Sequence, residues 1–268
     1  MAFDVDRVVG EVRNAADVFL RPRFRSLAAG DIREKSPGEV VTVADEECEA
    51  HLGAALLAVV PGSVLVGEEA ASQDGSLLEL LAGDDPVWLL DPLDGTSAFA
   101  AGSSDYAVMA ALVVRGDTVL SVIHQPEYGR TFVAERSSGA HEFEAGGSVE
   151  LVPGEPGGRL RGAVMRRFLP PEVAKAVEEN EGRFQSLEPV TKTAGIEYPA
   201  IAAGERDFML YWRTLHWDHV PGGLLISEAG GKAAHLDGGC YRPAQRREGL
   251  LVASTPELWE QAREELGV

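Results

Sequence analysis

The stretch Val87-Trp88-Leu89-Leu90-Asp91-Pro92-Leu93-Asp94-Gly95-Thr96 constrains this chain more than any other. The apolar run from Val87 to Leu90 predicts a buried strand, and that strand delivers two carboxylates, a proline, a glycine and a hydroxyl at its carboxyl end. Pro92 fixes its own φ and brings no N–H to a ladder, so the strand is expected to stop at Asp91 and turn. Asp91 and Asp94 then face one small volume. Gly95 permits close backbone approach, and Thr96 and Ser97 can open a following turn with free N–H groups directed at an anion. Two acids beside anion-binding amides imply a cation between protein and phosphate.

With 268 residues, 45% of them apolar, the chain can bury a large core in one big domain or two moderate ones. It contains no apolar run long enough to span a membrane, and Met1-Ala2-Phe3-Asp4 does not open like a signal peptide, so it reads as cytoplasmic. Cys48 and Cys240 are too few for a disulfide framework and are not spaced as a zinc site. A formal net charge of −19 argues against nucleic acid polymers and anionic membranes as partners. A small anionic substrate is still compatible, because a bound metal ion inverts the local field of an acidic cluster.

Along the chain, spacings of three and four predict an amphipathic helix from Val5 to Phe19, and a second helix is expected from about Asp45 to Val59. Ser63 to Glu69 reads as a short strand ending in two glutamates. Tyr106 to Arg115 and Thr118 to Gln125 form a hairpin across Gly116-Asp117, and Gly129 to Arg136 and Ala140 to Phe143 add strands to a mainly antiparallel sheet. Gly146-Gly147 and Pro153 to Gly158 mark a composition shift, which suggests domains at 1–146 and 147–268. The second half alternates strands and helices: Leu160 to Met165, Pro171 to Asn180, Phe184 to Leu187, Ile196 to Ala203, Phe208 to Trp212, Trp217 to Ala229, Gly249 to Ala253 and Pro256 to Leu266.

On local pattern alone, Asp45 and Asp218 read as helix N-caps, and Glu68 with Glu69 as solvated surface charge. That reading changes for Glu68 if it and Asp91 end neighbouring strands, because several carboxylates would then converge and need a cation. His216 and His219 flank Asp218 but point to different faces, so both read as packing or rim residues.

Gly67-Glu68-Glu69, the Trp88 to Thr96 stretch, and Trp217-Asp218-His219-Val220-Pro221-Gly222-Gly223 with Glu228-Ala229-Gly230-Gly231 resemble the signature motifs of the inositol monophosphatase family, in order and in spacing. Lys35 to Asp45 resembles its amino-terminal motif. The resemblance implies an αβαβα five-layer sandwich of the inositol monophosphatase and fructose bisphosphatase type, an α/β fold. It also implies a homodimer and a Mg²⁺-dependent, lithium-inhibited phosphomonoesterase. Carried over, Glu68, Asp91 and the Leu93 carbonyl would hold one metal, and Asp91, Asp94 and Asp218 a second, with Glu68 helping a third and weaker ion. Asp45 and Thr96 would orient or deprotonate the attacking water, and the amides of Gly95 and Thr96, with Ser97 beside them, would bind phosphate.

Hard oxygen donors without Cys or well-spaced His independently favour Mg²⁺, with Mn²⁺ and Ca²⁺ the other ions of that preference. Two such ions suit water activation and leaving-group stabilisation in an in-line displacement. The pattern departs from the family at Ala98, where Asn is usual, and at Tyr211, where inositol-hydrolysing members often place a glutamate that contacts a ring hydroxyl. Lys192, Arg213 and Tyr198 lie near enough in sequence to shape a different pocket. The substrate therefore stays open among inositol monophosphate, fructose 1,6-bisphosphate, histidinol phosphate and adenosine 3′,5′-bisphosphate. A catalytically silent protein that binds a divalent ion or a phosphate metabolite is the alternative of another class.

Overall fold

The structure, a computed structural model, describes residues 3–36, 38–144, 147–153, 157–190 and 193–268. The elements run α1 (Val5–Ala15), β1 (Ile32–Ser36), β2 (Glu39–Thr42), α2 (Val43–Val59), β3 (Val64–Gly67), α3 (Glu68–Gln73), β4 (Val87–Asp94), α4 (Thr96–Ala100), β5 (Ala107–Val114), β6 (Asp117–Gln125), β7 (Arg130–Glu135), β8 (Ala140–Glu144) and β9 (Gly147–Glu150). They continue as β10 (Arg161–Val164), α5 (Pro171–Asn180), β11 (Ser186–Pro189), α6 (Ala194–Ala202), β12 (Phe208–Tyr211), α7 (His216–Glu228), β13 (Lys232–His235), β14 (Leu250–Ala253) and α8 (Pro256–Leu266). Pro at the first position starts both α5 and α8, where a missing N–H costs nothing.

The seven-stranded sheet has the order β3-β4-β5-β6-β7-β8-β9, antiparallel throughout except for the parallel β3–β4 pair. The five-stranded sheet has the order β11-β10-β12-β14-β13 and is mixed. Alternation along each strand sends side chains to opposite layers. Trp88, Leu90, Val108, Ala110 and Leu112 pack under α1 and α2, while Ala107 and Met109 face α6 and α7. On β12, Met209 and Tyr211 meet those same helices, and Phe208 and Leu210 face α5 and α8. The layers are therefore αβαβα. No helix among the described residues is long and apolar enough to cross a membrane.

Several local expectations are corrected. β4 does not stop at Asp91: its pairing with β5 slips between Asp91 and Asp94 and resumes at Asp94 opposite Ala107, so Pro92 sits in an irregularity that demands no ladder N–H. Asp45 and Asp218 are not N-caps; they occupy the third positions of α2 and α7. The N-cap of α2 is Thr42, whose backbone and hydroxyl are held by Asp45 in a capping box. β9, which begins at residue 147, belongs to the seven-stranded sheet, and Gly154 to Pro156 lie outside the described residues.

Candidate active site

Parallel pairing aligns the ends of β3 and β4, with Gly67 opposite Leu90, so Glu68 and Asp91 emerge side by side. Gly67 is needed there because any Cβ would collide with the carboxylate of Glu49. That carboxylate reaches over from α2 and accepts from the amides of Glu69 at 2.8 Å and Ala70 at 2.9 Å, capping α3. Glu49 lies one turn beyond Asp45 on the same helix face, and this i, i+4 spacing is the sequence signal that marks it.

Beyond the slip in β4, Asp94 turns back towards Asp91, and Asp218 arrives from the first turn of α7. Ligand atoms of these three carboxylates lie within 4.8 Å of one another, with Asp91 and Asp94 buried and Asp218 partly so. Burial, and then repulsion by Glu68, Asp94 and Asp218, holds Asp91 well above the ordinary aspartate pKa. Asp218 is raised in the same way, by burial and by Asp94 and Glu68. Burial pushes Asp94 up to about 6, opposed by the Gly195 amide, which donates to Asp94 Oδ2 at 2.6 Å from the start of α6. These three acids, with Glu68 beside Asp91, suit a hard divalent cation: all the donors are oxygens, and among the described residues no Cys or His belongs to the cluster.

Lys35 supplies the compensation that is present. Its Nζ lies 2.7 Å from Glu68 Oε1 and 2.7 Å from Glu69 Oε1. Burial opposes the charged ammonium, yet these glutamates hold its pKa above normal. The motif around Lys35 is visible in the sequence, whereas this contact depends on the packing of β1 against the start of α3.

Thr96 opens α4 immediately after Gly95, whose φ of 91° is left-handed. The Thr96 hydroxyl lies 2.8 Å from Asp45 Oδ1 and 3.1 Å from the Leu93 carbonyl. Asp45 Oδ2 accepts from the Thr42 amide at 2.8 Å and the Thr42 hydroxyl at 2.5 Å, so its carboxylate is held at both oxygens. Burial still pushes its pKa up to about 6. The amides of Gly95 to Ser97, at the start of α4, have no intrahelical acceptor. A cleft of about 220 Å³ is lined by Glu68, Asp91, Leu93, Asp94, Gly95, Thr96, Ser97 and Asp218.

Tyr211 borders an adjoining cavity with its ring, but its hydroxyl turns inward to Met209 Sδ at 3.5 Å. His216 and His219 are buried; His219 lies between the Tyr198 hydroxyl and the Arg213 carbonyl, as a packing role requires. Lys192 lies outside the described residues.

A five-layer α/β sandwich whose sheet and helix ends gather hard oxygen donors beside a helix start defines a class of enzyme suited to phosphate chemistry. The sequence pattern of the Inositol monophosphatase family matches residues 5–266, and the chain belongs to that family and is a phosphoric monoester hydrolase. It is 31% identical to Nus factor SuhB of Pseudomonas aeruginosa over 228 residues, 80% of each chain. It is 26% identical to the fructose-1,6-bisphosphatase/inositol-1-monophosphatase of Thermotoga maritima over 213 residues, 76% of this chain and 75% of the relative. The fold matches the structure of SuhB from Bartonella henselae with a TM-score of 0.79 at 22% identity, covering 97% of both chains.

Proposed function

We propose that this chain hydrolyses a small phosphate monoester using Mg²⁺, with water as the nucleophile. The observation that carries the reading is the convergence of Asp91, Asp94 and Asp218 on one point beside the Thr96–Asp45 pair. Glu68, Asp91 and the Leu93 carbonyl would hold one ion, and Asp91, Asp94 and Asp218 a second, with Glu68 available to a third. Mn²⁺ suits the same donors, and Ca²⁺ and Li⁺ are expected inhibitors. Bound there, the ions would lower the pKa of a water and stabilise the leaving alkoxide.

The protein's own groups do the rest. The Thr96 hydroxyl accepts a hydrogen bond from the attacking water while donating its own proton to Asp45, so the pair orients the water and offers its proton a destination. The amides of Gly95, Thr96 and Ser97 hold phosphate oxygens, and the cavity beside Tyr211 receives the remainder of the ester. No phosphoenzyme is needed, because Asp91 would be committed to the ions. A protein that only bound metal or phosphate would have no use for the Thr96–Asp45 pair, which favours turnover. The working form is proposed to be a cytoplasmic homodimer.

The test is phosphate release with Mg²⁺ from inositol monophosphate, fructose 1,6-bisphosphate, histidinol phosphate and adenosine 3′,5′-bisphosphate. Turnover of at least one is expected, abolished by Asp91→Asn. Well-folded protein that turns over none of them would establish the silent binding protein instead, and a near-normal Asp91→Asn enzyme would remove Asp91 from the proposed ion sites.

A further inference from the structure

A second cavity of about 220 Å³ adjoins the acidic cleft and shares Asp94, Arg213, Leu215 and Asp218 with it. With a phosphoryl group seated at the acids, the leaving group extends into this space. Its polar lining is sparse: the Thr193 hydroxyl is buried there without a partner, a single group against the several hydroxyls of a polyol. A polyol ring needs acceptors as well as donors, yet the Tyr211 hydroxyl is directed to Met209 and both ring nitrogens of His219 are engaged, at 2.9 Å with Tyr198 and 3.2 Å with the Arg213 carbonyl. Asp94 and Asp218, its only carboxylates among the described residues, already belong to the cluster.

Two guanidinium groups reach the same space and flank the Phe168 ring, Arg167 at 5.1 Å and Arg213 at 5.4 Å from its centroid. They are not equivalent. Arg213 Nη1 is paired with Glu39 Oε1 at 2.5 Å. Arg167 is exposed and, among the described residues, makes no ion pair with a carboxylate. In a chain of 43 acidic and 24 Lys or Arg residues, it places an uncompensated positive charge at the mouth of a negative cleft.

We propose that the substrate is a phosphate monoester whose leaving group carries a second anionic group, phosphate or carboxylate, and that Arg167 reads it. The inference rests on the phosphatase reading above. Contact with Phe168 steadies the guanidinium plane, and a guanidinium held in this way suits bidentate contact with an oxyanion. Glu39 offsets the charge of Arg213, so the cavity is matched to one additional anion.

The test compares kcat/KM in Mg²⁺ within two matched pairs: fructose 1,6-bisphosphate against fructose 1-phosphate, and 3-phosphoglycerate against glycerol 3-phosphate. The member with the second anion should be preferred roughly tenfold or more in at least one pair, and the pair that responds identifies the anion. Arg167→Ala should bring that ratio towards one, chiefly through KM. Arg166→Ala, at an exposed neighbour paired with Glu181 at 3.2 Å, should keep it. Ratios near one in both pairs, or a preference that survives Arg167→Ala, would overturn the proposal. Absence of turnover on every one of these compounds and on the panel of the preceding test would instead remove the phosphatase reading. Equilibrium affinities of wild-type and Arg167→Ala protein for the same pairs would then decide the second-anion claim, equal affinities overturning it.

Discussion

The Thr96 hydroxyl joins three parts of the site: Asp45 on one side, the Leu93 carbonyl on the other, and the start of α4 beneath it. Thr96→Val keeps the shape and removes the relay. It should lower kcat by about 10²- to 10⁴-fold, the usual worth of positioned proton transfer, while costing only about 1–2 kcal/mol in unfolding free energy. Steady-state kinetics and denaturant titration separate the two effects. Asp45, pushed up to about 6 by burial, must be ionised to accept the proton. The pH profile of kcat/KM should therefore fall as pH drops below about 6, and a flat profile down to pH 5 would remove Asp45 from this role. Gly95 is restricted twice, by its left-handed φ and by the Thr193 side chain and Asp105 carbonyl that a methyl group would meet. Gly95→Ala should lose more than about 1 kcal/mol of stability by chemical denaturation.

At the scale of elements, α3 depends on a carboxylate borrowed from α2. Glu49 is pushed up from 4.5 to about 7, by burial first, with the two α3 amides opposing the rise. Between those values the native state binds a proton that the unfolded chain releases. The associated stability is present below about pH 4.5 and is lost as pH rises through 7. Glu49→Gln should flatten that part of the decline, measured as unfolding free energy at pH 5 and pH 7.5. An unchanged difference between the two pH values would show that Glu49 does not set it. Local signals located most of these elements: prolines mark the first residues of α5 and α8, and the Val5 periodicity marks α1. They failed at β4, because the rule that proline ends a ladder holds only for an unbroken register, and β4 has a slip at Pro92. They also failed at β11, where observed pairing places the strand at Ser186–Pro189, two residues beyond the expected Phe184 to Leu187.

For the whole molecule, the controlling quantity is the mutual repulsion of Asp91, Asp94, Asp218 and Glu68. Each has a raised pKa, so metal-free protein should lose stability as these groups ionise with rising pH. A cation held by the cluster should reverse that loss. Saturating Mg²⁺, at about 100 times its Kd, should add about 2.7 kcal/mol, and the rise in Tm should be larger at pH 7.5 than at pH 5. Chelation should abolish the increment and Asp218→Asn should remove most of it. A Tm indifferent to Mg²⁺ at both pH values would contradict a metal-binding role for these acids.

The sequence by itself determined which donors this protein possesses, where most strands and helices begin, and which family its motifs belong to. These properties are local, since periodicity, proline and glycine act within a few residues of one another. Only the tertiary structure decided how the donors meet. Parallel pairing of β3 with β4 aligned Glu68 with Asp91, and the central helix layer brought Asp218 and the Gly195 amide onto the far end of β4. The same packing set Lys35 between two glutamates and left Arg167 beside Phe168 at the cavity mouth. Such contacts follow from the docking of one layer on another, a long-range outcome that no window of sequence encodes.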